Sequence, residues 1–128
     1  MSFKKLNNIV GWLVFSVATI VYFLTLEHTV SWWDCGEYIS TAYKLQVGHP
    51  PGAPLFQMLG RFFSLFAFGD VTKVALMINI MSALCSSFTI LFLFWTITLL
   101  TRKIWMKEGE ESPLYKKIVV LATGVVGA

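Results

Sequence analysis

The sequence predicts an all-α integral membrane protein, and three observations carry that expectation. Of its 128 residues 56% are hydrophobic and 13% charged, and mean hydropathy is +0.69. Two uncharged runs, residues 9–26 and 74–100, are each long enough to cross a hydrocarbon core of about 30 Å at about 1.5 Å of helical rise per residue. A water-soluble domain would spread charge along its surface, whereas here long stretches carry none. The net charge of +3 lies mainly in two short clusters, so it speaks to topology. No basic stripe is present to bind nucleic acid.

Lys4 and Lys5 precede the first run. A secretory signal begins the same way, but this apolar stretch exceeds a signal core and no A-x-A-like site follows, so a retained signal anchor is expected. Glu27 and His28 end it, and Trp32 and Trp33 stand where an interfacial aromatic belt belongs.

Between the two runs lies one polar, turn-rich island, residues 31–55, SWWDCGEYISTAYKLQVGHPPGAPL. Glu37, Thr41 and Lys44 mark one face of a short helix and Tyr38, Ala42 and Leu45 the other, the pattern of a helix lying on a membrane surface. Gly48 is placed to close that helix, and the prolines of His49-Pro50-Pro51-Gly52-Ala53-Pro54 forbid its continuation. Residues 55–68 are too few for a comfortable span. There Gln57, Arg61 and Ser64, at i, i+4 and i+7, draw one polar stripe on an apolar helix suited to lying in the interface or to dipping into it beside protein. Gly69, Asp70 and Lys73 break the pattern before the second span.

Beyond that span, Arg102, Lys103, Lys107, Lys116 and Lys117, with Glu108, Glu110 and Glu111 among them, outweigh the scattered Lys44, Arg61 and Lys73. The positive-inside rule then puts the N-terminus and this loop in the cytoplasm and the island on the outer side. Residues 118–128 open a third apolar run too short to cross alone, as at the front of a longer protein. The expected organisation is one multi-span domain: span 9–26, outer loop with surface helices 27–73, span 74–100, cytoplasmic loop 101–117 and the start of a third span, 118–128. Cys35 and Cys85 fall in different environments, and no disulfide between them is expected.

The island holds the candidate chemistry. Asp34 and Glu37, three apart, share one side of a helix that starts near Trp33. One reading makes them a capping pair, Asp34 at the N-cap and Glu37 at the third helical position. The other assigns them acid–base work, because carboxylates at the mouth of a membrane domain are costly unless water, a cation or a substrate meets them. His49 suits proton transfer or a phosphate contact, and Arg61 a lipid phosphate or headgroup. No cofactor is firmly implied, although Asp34, Glu37 and His49 leave a divalent metal ion open.

These residues carry a resemblance. One span, a first outer loop with a D-x-x-E pair, a surface helix and H-P-P-x-x-P-L ahead of the next membrane helix resemble the start of the GT-C membrane glycosyltransferases. WDCGEYISTAYKLQVGHPPGAPLF is most similar to a bacterial branch long classed as a domain of unknown function and related to a eukaryotic multi-pass protein O-mannosyltransferase. The likeness covers about residues 10–100.

It implies transfer of a sugar, with mannose a candidate, from a polyprenyl-phosphate-linked donor to an acceptor hydroxyl on protein or glycan. The setting it implies is the outer face of a bacterial inner membrane. Asp34 would be the general base or acceptor-orienting carboxylate, Glu37 would orient Asp34 or the acceptor, and His49 and Arg61 would meet the donor phosphate. The expected partners are the lipid-linked donor, the acceptor and membrane lipids. Later spans of such enzymes are missing here, so these residues alone are expected to be inactive. The alternative is a non-catalytic membrane scaffold or assembly subunit in which Asp34 and Glu37 only cap a helix. A transporter fragment fits less well, because transport carboxylates lie near the midplane and Asp34 follows the first span closely.

Overall fold

A computed structural model describes residues 2–50, 52–106 and 113–128, so Pro51 and the loop residues Lys107, Glu108, Glu110 and Glu111 lie outside the described part. The regular elements are all helical: α1 (Phe3–Leu24), α2 (Cys35–Lys44), α3 (Pro54–Ser64), 3-10 turns at Leu65–Ala67 and Val71–Lys73, α4 (Val74–Trp105) and α5 (Leu114–Gly127). No strand occurs among the described residues. Phe3–Leu24, of 22 residues, and Val71–Trp105, of 35, are long and apolar enough to cross a membrane. The chain is an all-α membrane protein. Helix α1 begins ahead of the uncharged run and takes Lys4 and Lys5 into its first turn, where long-stemmed cations favour helix and reach toward water.

The chain divides into two compact units, residues 1–21 with 86–128, and residues 22–85. In the first, α1, the later part of α4 and α5 meet around Phe94, which is fully buried with Leu91 and Val120. Glycine makes the approach feasible. A Cβ on Gly11 of α1 would stand 3.2 Å from the Phe94 ring and 2.6 Å from Trp95 Nε1, and one on Gly124 of α5 would stand 2.9 Å from the Phe94 ring and 2.5 Å from Thr98 Cγ2. Close contact through small residues is how helices associate where lipid removes the hydrophobic drive between them. Aromatic pairs, Phe15 with Phe88 at 4.8 Å and Trp12 with Trp95 at 6.1 Å, extend the α1–α4 seam.

In the second unit, α2, α3 and the beginning of α4 share a core of Ile39, Ala42, Ala67, Val74, Ile78 and Met81. Val74, Ile78 and Met81 recur at i, i+4 and i+7, one stripe of α4. Gly60 of α3 lies against Ala42 of α2 so closely that a Cβ there would be 2.9 Å from that of Ala42. The loop before α2 is moored to α4 by Asn79, whose amide donates to the carbonyls of Glu27 at 2.9 Å and Thr29 at 3.1 Å. Trp32 and Trp33 are 92% and 91% exposed, and Trp33 has a φ of 66°, the left-handed region that bulky residues rarely occupy.

Two expectations about these short helices are corrected. Leu45, not Gly48, ends α2: it takes the left-handed conformation at φ 51°, ψ 48°, with Leu45 N–H donating to Ala42 O at 3.3 Å and Gln46 N–H to Thr41 O at 2.9 Å. That bond pair satisfies the last carbonyls of the helix without a glycine. The polar stripe of α3 faces α2, the arrangement of a helix set beside protein. Gln57 Nε2 donates to Thr41 Oγ1 at 3.4 Å and an Arg61 guanidinium N–H to Tyr43 O at 2.8 Å, Ser64 is buried, and Leu55, Met58, Phe62 and Phe66 lie exposed. Ala42, read as part of a membrane-resting face, is likewise buried in the unit.

Candidate functional site

The site is assembled at the N-terminal end of α2. Asp34 is the N-cap residue, but its backbone is already helical at φ −76°, ψ 0°, and its side chain makes no capping hydrogen bond. An N-cap normally takes an extended conformation that swings its side chain over the first free N–H groups, so the helical backbone removes that geometry. The first backbone bond of α2 runs from Tyr38 N–H to Asp34 O at 3.0 Å.

Glu37 does not reach back to complete a capping box. It reaches forward twelve residues to His49: Oε1 accepts the His49 backbone N–H at 2.8 Å and Oε2 lies 2.8 Å from His49 Nδ1. Gly48 explains how the carboxylate gets so close to the turn, since a Cβ there would stand 3.1 Å from Glu37 Oε1. The glycine that does not close the helix thus makes room for this clasp.

Electrostatics follow from the geometry. The His49 backbone N–H and then its ring hold the Glu37 carboxyl below its usual 4.5, and the Glu37 carboxylate raises the imidazole above its usual 6.5, with a smaller push from the charge of Asp34. Both side chains are partly solvated, at 40% and 49% exposure, so screening by water limits the strength of the pair. A clasped Nδ1 directs what His49 can offer to the other ring nitrogen, Nε2.

Asp34, Glu37 and His49 therefore share one neighbourhood, and Arg61 stands apart from it. Its guanidinium bonds Tyr43 O near the C-terminal end of α2 and stacks over the Tyr43 ring at 5.4 Å, a cation placed where the helix dipole favours one. Among the described residues no group of three or more His, Cys, Asp or Glu side chains is arranged to hold a metal ion, and the trio considered for that role does not form such a group. Neither Cys35 nor Cys85 is in a disulfide.

Tyr38 joins the site to a cavity. Its ring lies edge-on to His49 at 6.4 Å and to Phe56 at 5.7 Å, and Tyr38 and Phe56 help line a mainly apolar pocket of about 370 Å³ with Cys35, Ile39, Ile78 and Ser82. Sequence reasoning passed over Gly48 as a spacer, Tyr38 as a wall and Asn79 as a mooring. Only Asn79 left a local signal, a lone amide in an otherwise apolar run.

Residues 34–128 match the family described as the protein O-mannosyl-transferase TMEM260 N-terminal domain. The chain is 38% identical over 93 residues to a Dictyostelium discoideum protein named protein O-mannosyl-transferase tmem260, an alignment covering 73% of this chain and 11% of that protein. It is 38% identical over 85 residues to the Mus musculus protein O-mannosyl-transferase TMEM260, covering 66% of this chain and 12% of the relative. The chain thus spans about a tenth of the length of these curated relatives. No solved structure matches it significantly. With residues 34–128 matched from the first residue of the site onward, the chain belongs to the TMEM260 N-terminal-domain family of protein O-mannosyl-transferases.

Proposed function

We propose that the full-length protein transfers a mannosyl residue from a polyprenyl-phosphate-linked donor to a hydroxyl on an acceptor protein, as a GT-C-type enzyme working at the outer face of the membrane. In that reaction the acceptor oxygen bonds to the anomeric carbon as the bond from that carbon to the phosphate oxygen breaks. The electron pair leaves with the lipid phosphate. The acceptor proton passes to a carboxylate held within hydrogen-bond reach.

One observation carries the assignment of that carboxylate: Asp34 makes no capping bond, while both oxygens of Glu37 are taken up by His49. Asp34 is the base or acceptor-orienting group and Glu37 supports it indirectly. His49 presents Nε2 as a donor to the phosphate, whose developing charge needs a hydrogen-bond donor or cation. Arg61 acts by holding α2 against α3. The names of the relatives support mannosyl transfer to protein. Lys4 and Lys5 in the first turn of α1 and Arg102 and Lys103 in the last turn of α4 support a cytoplasmic N-terminus and an outward site. The bacterial inner-membrane setting rests on the likeness of the island motif. These 128 residues are expected to show no transfer alone, since they match so small a share of the relatives.

The test is Asp34→Asn in the full-length protein, which keeps shape and removes the base. Transfer to an acceptor peptide is expected to fall at least about 100-fold, the ordinary size of a general-base contribution, with membrane insertion unchanged. Wild-type transfer rates would remove Asp34 from the mechanism and favour the scaffold alternative. A membrane-impermeant maleimide, applied from outside to a Cys85→Ser background, is expected to label Cys35; protection there would reverse the topology.

A further inference from the structure

Asn79 places a carboxamide in the second turn of α4, inside a long uncharged run where a polar side chain is costly unless it finds a partner. Its Nδ2 donates to Glu27 O at 2.9 Å and to Thr29 O at 3.1 Å. Two carbonyls can only accept, and a carboxamide nitrogen brings one N–H for each. Glu27 prepares the pair: its Oε1 accepts the Thr29 N–H at 3.0 Å and the Thr29 hydroxyl at 2.8 Å. The turn so closed shows both carbonyls to Asn79.

From there the chain runs to the start of α2. Val30 lies against the first turn of that helix, where a Cβ on Gly36 would stand 3.3 Å from Val30 Cγ1, and the Ser31 hydroxyl donates to Cys35 Sγ at 3.4 Å. Trp32 and Trp33 are almost fully exposed, Trp33 is left-handed, and the Asp34 side chain makes no capping bond. A bulky residue in that conformation persists where the chain on both sides of it is held. Helix α2 holds one side, and Asn79 holds the other. We infer that Asn79 is a positioning residue for the transfer: by fixing Glu27 and Thr29 on α4 it sets where the turn delivers Asp34. The inference rests on the reading of Asp34 as the base or acceptor-orienting carboxylate. Asn79 shares none of the bonds of the Glu37–His49 clasp, so its effect falls on the acceptor side of the reaction.

The experiment measures transfer by the full-length protein carrying one of three substitutions. Asn79→Leu keeps the branched shape without the donors, Asn79→Gln keeps the donors on a longer stem, and Glu27→Ala undoes the turn from the loop side. Per folded molecule, kcat for Asn79→Leu is expected to fall at least about 10-fold, on a scale where a displacement of about 1 Å costs about 100-fold. KM for the lipid-linked donor should stay near wild type. Asn79→Gln should recover part of the loss, and Glu27→Ala should repeat it more weakly. Amide exchange in Asn79→Leu should quicken across residues 30–36 and leave the His49 amide protected.

The inference is overturned by an unchanged kcat in Asn79→Leu, by a rise in donor KM that matches the loss of kcat, by Asn79→Gln no better than Asn79→Leu, or by unchanged exchange across residues 30–36. If Asn79→Leu does not insert or fold, Glu27→Ala, which leaves α4 intact, decides by the same kcat, KM and exchange readouts. Asp34→Asn, run beside them, separates the two ideas. Loss of transfer there alone leaves the transferase reading standing and removes Asn79, whereas wild-type transfer there removes the base assignment and the inference with it.

Discussion

Both compact units bring helices together through glycine, yet they specify their contacts by different means. Around Phe94 the α1, α4 and α5 contacts are mainly shape: Gly11 and Gly124 take the ring from two helices, and most neighbours are aromatic or aliphatic, with Thr98 buried among them. In the unit of residues 22–85 Gly60 again permits close approach, but α2 and its surroundings are fixed by directional bonds, Arg61 to Tyr43 and Glu37 to His49. Where lipid surrounds the helices, packing has to provide specificity because apolar contact with lipid is no worse than contact with protein. Near water, hydrogen bonds can pin a loop whose apolar core is small. The first design tolerates no added volume. The second is sensitive to protonation.

The largest effect should come from the lipid-type contact. Gly124→Leu drives a branched side chain into Phe94 and Thr98 and should lower stability by about 3 kcal/mol, the upper part of the usual overpacking range, read as a lowered melting midpoint in detergent. An unchanged midpoint would mean that α5 is not held at Phe94. Gly60→Val should cost about 2 kcal/mol by the same mechanism, but locally. Amide exchange should accelerate in α2 and α3 while α1 and α5 keep their protection; uniform acceleration would show that the two units unfold as one.

The smallest effect distinguishes the units by pH. Folding raises the pKa of His49, so its share of the clasp is present below the unfolded value and is lost as pH rises through the raised one. Folding lowers that of Glu37, so its share is present above the unfolded value and is lost as pH falls through the lowered one. Between those two limits the His49 amide should be protected from exchange, and outside them it should open while the Phe94 contacts stay unchanged. A His49 amide protected equally from acid to alkaline pH would show that the backbone bond alone holds the turn.

Much of the architecture was legible because long apolar runs report directly on the medium around them. The two long helices and the polar interval between them need only composition and length. Periodicity found the Gln57–Arg61–Ser64 stripe of α3 but not its direction. At a lipid boundary the rule that polar faces look outward loses its basis, and here the stripe turns toward α2. The capping box failed for a different reason. Spacing says that Asp34 and Glu37 are close enough to cap, whereas the outcome depends on His49, twelve residues ahead, and on Gly48 beside it. Long-range partners leave no trace in local pattern, so the residue types of the site could be read from sequence while the pairing of Glu37 with His49 could not.

Trp33 shows what the chain accepts at a highly exposed point. A left-handed backbone costs a residue with a Cβ about 1–2 kcal/mol, which glycine would not incur, and nothing buries this ring to compensate, at 91% exposure. A position so cheaply relaxed and so poorly sheltered is not stabilised by packing among the described residues. An indole partitions well into lipid headgroups, so a bilayer interface would suit the ring at the turn that introduces Asp34.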